Sequence, residues 1–255
     1  MPKISAVIIC YNEERNIGRC IDSLQTVADE IVVVDSFSTD KTAEICREKG
    51  IKFIEHAFDG HIEQKNFAIT QASFPHVLSL DADEALDETL QQEIRKIKEN
   101  WQKDGYSMNR LNRYCGKWIH YGAWYPEKKL RLWDSRKGQW GGTNPHDQFI
   151  MEKNATKGHL KGNLLHHRFE SIEEHIRKLN YFTDIAAKAY LQKGKKCRWW
   201  HLIINPIYAF VSAYFFKRGF LSGFEGLVIS SIDAHFTFVK YAKLWQLDKQ
   251  KNNGK

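Results

Sequence analysis

The segment ISAVIICYNEERNIGRCIDSL, residues 4–24, places a continuous apolar run directly before a stretch with helical periodicity. The run from Ile4 to Cys10 is rich in β-branched residues, which predicts a strand buried on both faces. Ile17, Ile21 and Leu24 recur at the spacing of one helix face, which predicts an amphipathic helix. The strand therefore ends in a short polar loop that leads into a helix.

The same order of strand and helix repeats as far as residue 100. The predicted strands are EIVVVDS (30–36), IKFIEHAF (51–58) and HVLSLDAD (76–83), and the predicted helices are STDKTAEICREKG (38–50), HIEQKNFAITQA (61–72) and DETLQQEIRKIKEN (87–100). Strands that alternate with helices predict an α/β fold with a mostly parallel central sheet covered on both faces.

Polar side chains follow the predicted strands on one edge of this sheet, where open α/β folds bind ligands. They are Tyr11, Asn12 and Glu13 after the first strand, Asp35, Ser36, Ser38 and Asp40 after the second, and Asp81 and Asp83 after the fourth. The glycine-rich motifs of dinucleotide-dependent oxidoreductases and P-loop NTPases are absent, which argues against both classes. The carboxylates suit Mg²⁺ or Mn²⁺ carrying the phosphates of a substrate. The nearby Glu84 and Asp87 are expected to complement a helix N-terminus instead.

Four blocks in this order resemble the nucleotide-binding half of the family 2 glycosyltransferases, which have the GT-A fold: AVIICYNEERNIGRCIDSL, IVVVDSFSTDKTAEI, QKNFAI and LSLDADE. Asp81-Ala82-Asp83 resembles that family's DxD motif. The segments YPEKKLRLWDSRKGQWGGTNPHDQF and KRGFLSGFEGLVISSIDAHFTFVKYAKL are similar to the β-glucosyltransferase branch that builds the lipopolysaccharide core. The resemblance implies a metal-dependent inverting transferase that uses a nucleotide-sugar donor, most simply a UDP-sugar.

The resemblance also implies roles for individual residues of the donor site. It assigns the nucleotide pocket to Tyr11 and Glu13, the base contact to Asp35 with Asp40 nearby, further nucleotide contacts to Lys65 and Asn66, the ribose or metal region to Asp81, and direct metal ligation to Asp83. Simpler interpretations remain open for three of them. Asp40 is equally suited to capping the helix that follows it, Glu13 to a solvated helix start, and Lys65 to the surface.

An inverting transfer needs a base that takes a proton from the acceptor hydroxyl, and two downstream carboxylates are candidates. Asp147, in TNPHDQF, is favoured, although the similar branch has His-Glu there and Asp is one methylene shorter. Glu127, in YPEKKLRLW, is the alternative. Either residue could instead pair locally, Asp147 with His146 and Glu127 with its neighbouring cations. Arg131 is expected to line the cleft and grip phosphate, and of the adjacent His166 and His167 at most one is expected to face the metal.

Charge is distributed unevenly along the 255 residues, which carry a net charge of +7. Residues 1–150 hold 20 Lys and Arg against 23 Asp and Glu, whereas residues 151–255 hold 18 against 8. The run HLIINPIYAFVSAYFF (201–216) has no charge, contains Pro206 and is flanked by basic clusters and by Trp199 and Trp200. It is shorter than the ~20 apolar residues of a spanning helix. The pattern favours a helix lying on an anionic membrane surface over a nucleic-acid site; a packing or homodimer surface is the alternative.

We therefore expect a GT-A catalytic domain over residues 1–170, with a nucleotide-binding half (1–95) and an acceptor-side half (96–170), followed by a helical, basic segment over 171–255. Five widely spaced cysteines without a CxxC pair favour a reducing, cytoplasmic location. The expected place is the inner face of the cytoplasmic membrane, and the expected acceptor is a lipid-anchored glycan such as lipopolysaccharide core. A metal-dependent nucleotidyltransferase and a non-catalytic membrane-binding protein are the rival hypotheses.

Overall fold

A computed structural model describes residues 1–143 and 146–253. The chain forms two compact units, the first made of residues 1–111 and 127–167 and the second of residues 112–126 and 168–255. The first unit opens with alternating strands and helices: β1 (Ile4–Cys10), α1 (Ile17–Leu24), β2 (Glu30–Asp35), α2 (Thr42–Glu48), β3 (Lys52–Glu55), α3 (His61–Thr70) and β4 (His76–Asp81). These elements confirm the predicted α/β pattern.

The four strands lie in the order β3-β2-β1-β4 and are mutually parallel. Strand β1 is central, and six of its seven residues are buried, as its unbroken apolar sequence predicts. Helix α1 packs its apolar stripe on the sheet through Ile17, Ile21 and Leu24, each of which is fully buried. Burying a side chain of this size contributes about 1.5–3 kcal/mol to the stability of the folded state.

The remaining strands of the large sheet run antiparallel. In chain order these strands are β5 (Glu84–Leu86), β6 (Gly105–Tyr114), β7 (Lys117–Ile119), β8 (Glu127–Asp134) and, after a hairpin, β11 (Lys157–Phe169). Helix α4 (Glu88–Glu99) lies between β5 and β6 in the chain. The sheet order continues from β4 as β8-β6-β11-β5, with β7 paired to the end of β6. The β4–β8, β6–β8 and β5–β11 pairs are antiparallel. The sheet is therefore mixed, and the predicted parallel arrangement holds for its first four strands.

A separate two-stranded hairpin brings the downstream motif to helix α3. It consists of β9 (Gly138–Thr143) and β10 (His146–Met151). Phe149 stacks on the fully buried Trp133 with ring centroids 4.0 Å apart, and Trp140 contacts both rings edge-on. This aromatic group belongs to the same apolar cluster as Val32 and Val77 of the sheet, so the hairpin is anchored by packing.

The second unit is mainly helical. Its helices are α5 (Ile172–Gln192), α6 (Trp199–Val211) and α7 (Phe224–Asn253), with a π-helical segment (Ser212–Phe216) and a 3₁₀ turn (Gly219–Ser222) between the last two. Ser171 caps α5 by accepting a hydrogen bond from the Glu174 N–H at 3.1 Å. Within the described residues, no helix combines the length and apolar character needed to cross a bilayer.

Candidate active site

The carboxyl ends of β1, β2 and β4 form one edge of the sheet, and the polar residues predicted for the site follow them. Tyr11 is 58% exposed there, whereas Asp35 is fully buried. Asp35 accepts hydrogen bonds from the Cys10 thiol at 3.2 Å and from the Ser38 N–H at 2.7 Å. The structure thus places the Asp35 carboxylate where it holds the loop after β2, with both oxygens in use.

Two loops of this edge are fastened to each other. Asn12, which has a left-handed φ of 54°, accepts a hydrogen bond from the Thr39 N–H through its side chain at 2.8 Å. The Glu13 N–H donates to the Thr42 hydroxyl at 2.8 Å, and the Glu13 carboxylate accepts from Asn16 at 2.7 Å. The backbone after β1 is therefore held in one conformation beside the start of α2.

Asp40 joins the same two loops. Its carboxylate accepts hydrogen bonds from the N–H groups of Thr42 and Glu14, each at 3.0 Å. Burial disfavours the charge, but hydrogen bonds from Thr42 and Glu14 outweigh it and lower the pKa of Asp40. These contacts favour the interpretation in which Asp40 supports the first turn of α2.

Lys65 of α3 connects the end of β4 with the hairpin. Its Nζ lies 2.9 Å from Asp81 Oδ1 and 2.7 Å from Asp147 Oδ2. It also lies 4.5 Å from the centroid of the Trp140 ring, and its side chain is only 4% exposed. The alternative that Lys65 is a surface lysine is wrong, because its ammonium is buried between two carboxylates. Asp81 and Asp147, 66 residues apart in the chain, thus share one cation.

Arg131 of β8 pairs with the other side of Asp81. Its Nη2 lies 2.7 Å from Asp81 Oδ2 and 2.7 Å from Glu84 Oε1, and its side chain is 4% exposed. Burial disfavours ionisation of Asp81, but Arg131 and Lys65 outweigh it and hold the pKa of Asp81 well below its ordinary value. Within the described part of the chain, the buried Arg131 Nε has no hydrogen-bond partner. The guanidinium is thus positioned by carboxylates and keeps one donor for a further contact.

The crowded carboxylates after β4 separate into distinct environments. Asp87 is the N-cap of α4 and accepts a hydrogen bond from the Leu90 N–H at 2.7 Å, which confirms its predicted role. The same prediction for Glu84 is wrong: Glu84 lies in β5, is 1% exposed, and binds Arg131 and the Asp81 N–H. A strand intervenes before the helix begins, so Glu84 is carried into the sheet.

Asp83 has a different neighbour. Its Oδ2 lies 3.2 Å from His166 Nε2 of β11, and its carbonyl oxygen accepts from the His167 N–H at 3.0 Å. The His166 ring therefore meets the Asp83 carboxylate. Among the described residues, no three His, Cys, Asp or Glu side chains converge on one point as a complete metal site. The Asp83 carboxylate offers the kind of oxygen ligand that Mg²⁺ or Mn²⁺ takes beside a diphosphate and water.

The second base candidate, Glu127, is held by two cations. Arg110 donates to its two oxygens through Nε and Nη2, each at 2.9 Å, and Lys129 Nζ lies 2.9 Å from Oε1. Burial acts in the opposite direction, but Arg110 and Lys129 prevail and lower the pKa of Glu127 to about 2. A carboxylate this weakly basic, with both oxygens bound, is poorly suited to accept a proton near neutral pH.

Asn66 links α3 to the hairpin. Its side chain donates to the Trp140 carbonyl and accepts from the Trp140 N–H, each at 3.0 Å. This reciprocal pairing fixes Trp140 over Lys65 and Arg131. The structure thus brings together Lys65, Asp81, Arg131 and Asp147, and places Asn66 behind them. Sequence reasoning did not single out Trp140 or Arg110; the one available signal is that Arg110 shares the parity of Tyr106 and Met108 in β6 and so falls on their face of the strand.

Comparison with known proteins identifies the class. The sequence profile described as glycosyl transferase family 2 matches residues 5–157. The chain is 34% identical to an uncharacterized glycosyltransferase of Rickettsia typhi, over 99% of this chain and 90% of the relative. It is 33% identical to the lipopolysaccharide core biosynthesis glycosyltransferase LpsC of Rhizobium meliloti, over 96% and 94% of the two chains. The chain belongs to the family 2 glycosyltransferases and is therefore a transferase.

Solved structures give partial matches. A structure of TarS from S. aureus is 30% identical over 43% of this chain and 22% of its own, with a TM-score of 0.36. A structure of glucosyl-3-phosphoglycerate synthase from Mycobacterium tuberculosis, in complex with Mn²⁺, UDP and phosphoglyceric acid, is 22% identical over 44% of each chain, with a TM-score of 0.37.

Proposed function

We propose that this chain transfers a sugar from a UDP-sugar to a lipid-linked glycan, with inversion at the anomeric carbon. The observation that carries the proposal is the shared contact of Lys65 with Asp81 and Asp147. It sets a candidate base beside the DxD motif, at the sheet edge where family 2 enzymes are expected to bind the donor. The similarity to a lipopolysaccharide core transferase over nearly the whole chain supports an acceptor of that class.

On the donor side, Asp83 would hold Mg²⁺ or Mn²⁺, with the His166 ring in contact with its carboxylate. Bound there, the ion would neutralise the charge that develops on the departing diphosphate. Lys65 and Arg131 add fixed positive charge on the same edge. The Arg131 Nε, which has no hydrogen-bond partner within the residues that the structure describes, would offer a donor to the ligand. Tyr11 and Glu13, on the fastened loop after β1, would line the nucleotide.

On the acceptor side, Asp147 is the proposed base that removes the hydroxyl proton. Among the described residues, one cation contacts Asp147, whereas Glu127 is held by two and has a pKa of about 2. The Lys65 ammonium keeps the Asp147 carboxylate oriented and can balance the charge that Asp81 retains when Asp147 takes up the proton. Because direct displacement occurs once, the configuration at the anomeric carbon inverts.

The second unit supplies a candidate membrane surface. Large apolar side chains of α6 and the π-helical segment are more than half exposed, and they include Trp199, Ile204, Ile207, Phe215 and Phe216. Basic residues flank them in the chain, namely Lys195, Lys196 and Arg198 before α6 and Lys217 and Arg218 after it. A helix lying flat would bury its apolar face while these cations meet lipid phosphates, at roughly 1 kcal/mol each. This surface supports a peripheral location at the membrane that carries the acceptor.

Donor hydrolysis tests the reaction class. The purified chain is incubated with a panel of UDP-sugars and Mn²⁺, and the released phosphates are identified. Slow metal-dependent release of UDP is expected from one of the sugars. Release of pyrophosphate instead would indicate nucleotidyl transfer, and no release from any sugar would favour a binding protein. Calorimetry with Asp83→Ala should show loss of metal-dependent UDP binding; unchanged binding would contradict the metal assignment.

Sedimentation with vesicles tests the membrane surface. The parent protein should sediment with anionic vesicles, partly dissociate in high salt and fully dissociate in carbonate, because screening shortens the reach of surface charges to ~8 Å at physiological ionic strength. Joint neutralisation of the five basic residues named above should weaken sedimentation and leave UDP release intact. A parent protein that ignores anionic vesicles would contradict the membrane proposal.

A further inference from the structure

The second unit contains a cavity of about 470 Å³ that none of the assigned residues enters. Its walls come from Ala123, from α6 and α7, and from the segment between these helices. The polar and charged side chains that line it include Asn205, Tyr208, Lys217, Asp233, Lys240 and Tyr241. The volume falls within the range of about 300–1,000 Å³ usual for small-molecule sites.

Three of these side chains carry charge without an ion-pair partner in the described part of the chain. Lys240 Nζ lies 5.0 Å from the ring centroids of both Tyr190 and Tyr241, so aromatic faces rather than a carboxylate surround it. Lys217 likewise has no carboxylate within ion-pair distance among the described residues. Neither Lys217 nor Lys240 forms a described ion pair with Asp233. The cavity therefore presents two ammonium groups and one carboxylate that do not neutralise one another by contact.

Asp233 is the acidic member of this group and is half-buried. Burial raises the pKa of Asp233 to about 6, although Arg168, the Trp124 side chain and Lys217 act in the opposite direction. The neighbouring groups therefore do not fully stabilise the ionised carboxylate. A ligand that brings a cationic hydrogen-bond donor would stabilise it further. The arrangement thus calls for a ligand that carries an anion for the lysines and a cation for Asp233.

Residues adjacent in sequence to the cavity lining are apolar and exposed to solvent. Tyr208 lines the cavity and is itself 66% exposed, and its neighbour Ile207 is also exposed. Lys217 directly follows Phe216, which is 74% exposed. Ser212 and Ala213, in the π-helical segment, form part of the wall, and π-helical turns often occur at functional sites. The lining residues thus alternate along the chain with those of the proposed membrane surface.

We propose that this cavity binds the headgroup of a phosphatidylethanolamine, with the phosphate on Lys217 and Lys240 and the ammonium on Asp233. The inference rests on the membrane association proposed above and adds a specific lipid to it. The two ammonium groups suit a phosphate diester, and the Asp233 carboxylate suits an ammonium on the same ligand. An ammonium also donates hydrogen bonds to a carboxylate, which the methylated head of phosphatidylcholine cannot do.

Vesicles of two compositions test the preference at constant surface charge. Both contain the same fraction of phosphatidylglycerol, and the remainder is phosphatidylethanolamine in one and phosphatidylcholine in the other. We expect the parent protein to bind the ethanolamine vesicles about tenfold more tightly, equivalent to about 1.4 kcal/mol. Asp233→Asn and Lys240→Met should each lose the preference. Asp184→Asn and Lys249→Met are the matched controls, because both residues are exposed and belong to the same unit. Both variants should keep the preference for ethanolamine vesicles.

Soluble phosphoethanolamine separates the cavity from the membrane. Its binding, followed by NMR on the folded parent, should exceed that of phosphocholine and of inorganic phosphate, and should disappear in Lys240→Met. Equal binding of all three ligands, or no ethanolamine preference in vesicles, would overturn the headgroup assignment while leaving anionic-vesicle binding as a separate result. Binding of phosphoethanolamine by a protein that ignores every vesicle would support the cavity's ligand chemistry and contradict the membrane proposal.

Discussion

Lys65 and Arg131 lie almost completely buried and each contacts two carboxylates, whereas Lys217 and Lys240 line a cavity without an ion-pair partner among the described residues. The first arrangement is balanced by the chain itself, so its geometry is set before any ligand arrives. In the proposal above, the second is completed by the headgroup of a lipid. The comparison separates charges that the chain balances by contact from charges that it leaves without such contact among the described residues.

Arg131→Met should cause the largest loss of stability. Removing the guanidinium leaves Asp81 and the buried Glu84 without their closest cation, and breaking a buried pair in this way costs about 3–5 kcal/mol. Arg177→Met is the matched control, because Arg177 is 74% exposed and pairs with Glu173, which is 82% exposed; its loss should be far smaller, as expected for a solvated surface pair. Urea denaturation measures both. Equal losses would show that Asp81 and Glu84 do not depend on Arg131 for their charge balance.

Gly226→Ala tests the packing that shapes the second unit. A Cβ at Gly226 would clash with the carbonyl oxygen of Gly219, so α7 and the 3₁₀ turn must separate. Overpacking of this kind costs about 1–3 kcal/mol. Gly18→Ala in α1 is the control, since its Cβ would meet only ordinary contacts of 3.6 Å or more, and it should stabilise the protein by up to about 1 kcal/mol. A harmless Gly226→Ala would show that this close approach does not shape the unit.

Glu127 should make a smaller, pH-dependent contribution. Its pKa in the folded protein is about 2, below the ordinary value of 4.5, so the stabilisation is present above pH 4.5 and is lost as the pH falls towards 2. Because about a third of the side chain is exposed, solvent screening should limit the effect to the order of 1 kcal/mol. Glu127→Gln should flatten the stability curve in this window. Parallel curves for parent and variant would mean that Arg110 and Lys129 do not favour the ionised form.

The parallel half of the fold could be predicted because its signals are local. Strand β1 and helix α1 show their periods within single short windows, and the structure confirms both. The antiparallel strands depend on partners distant in the chain: β5 pairs with β11, about 80 residues away. No local pattern indicates such a pairing, nor the grouping of residues 112–126 with the C-terminal helices.

The sequence identifies most residues of the candidate site, but not which of them contact one another. Asp81 and Asp83 stand out at a strand end, but their charge balance comes from Lys65 and Arg131, which lie 16 and 50 residues away from Asp81. Glu84 was assigned to a helix start because the acidic run continues into one, and the short strand β5 was not recognised. A three-residue strand carries too few side chains to show a period.

The relative roles of Asp147 and Glu127 decide the account of the reaction. Steady-state transfer by Asp147→Asn and Glu127→Gln should be compared with a shared donor and acceptor, together with UDP–Mn²⁺ affinity and thermal unfolding. The account predicts that Asp147→Asn lowers kcat by roughly 10²-fold or more, as expected for a lost general base, while UDP affinity and folding stay near those of the parent. Glu127→Gln should retain most of its kcat. A fully active Asp147→Asn beside an inactive, folded Glu127→Gln would contradict the account and move the base to Glu127.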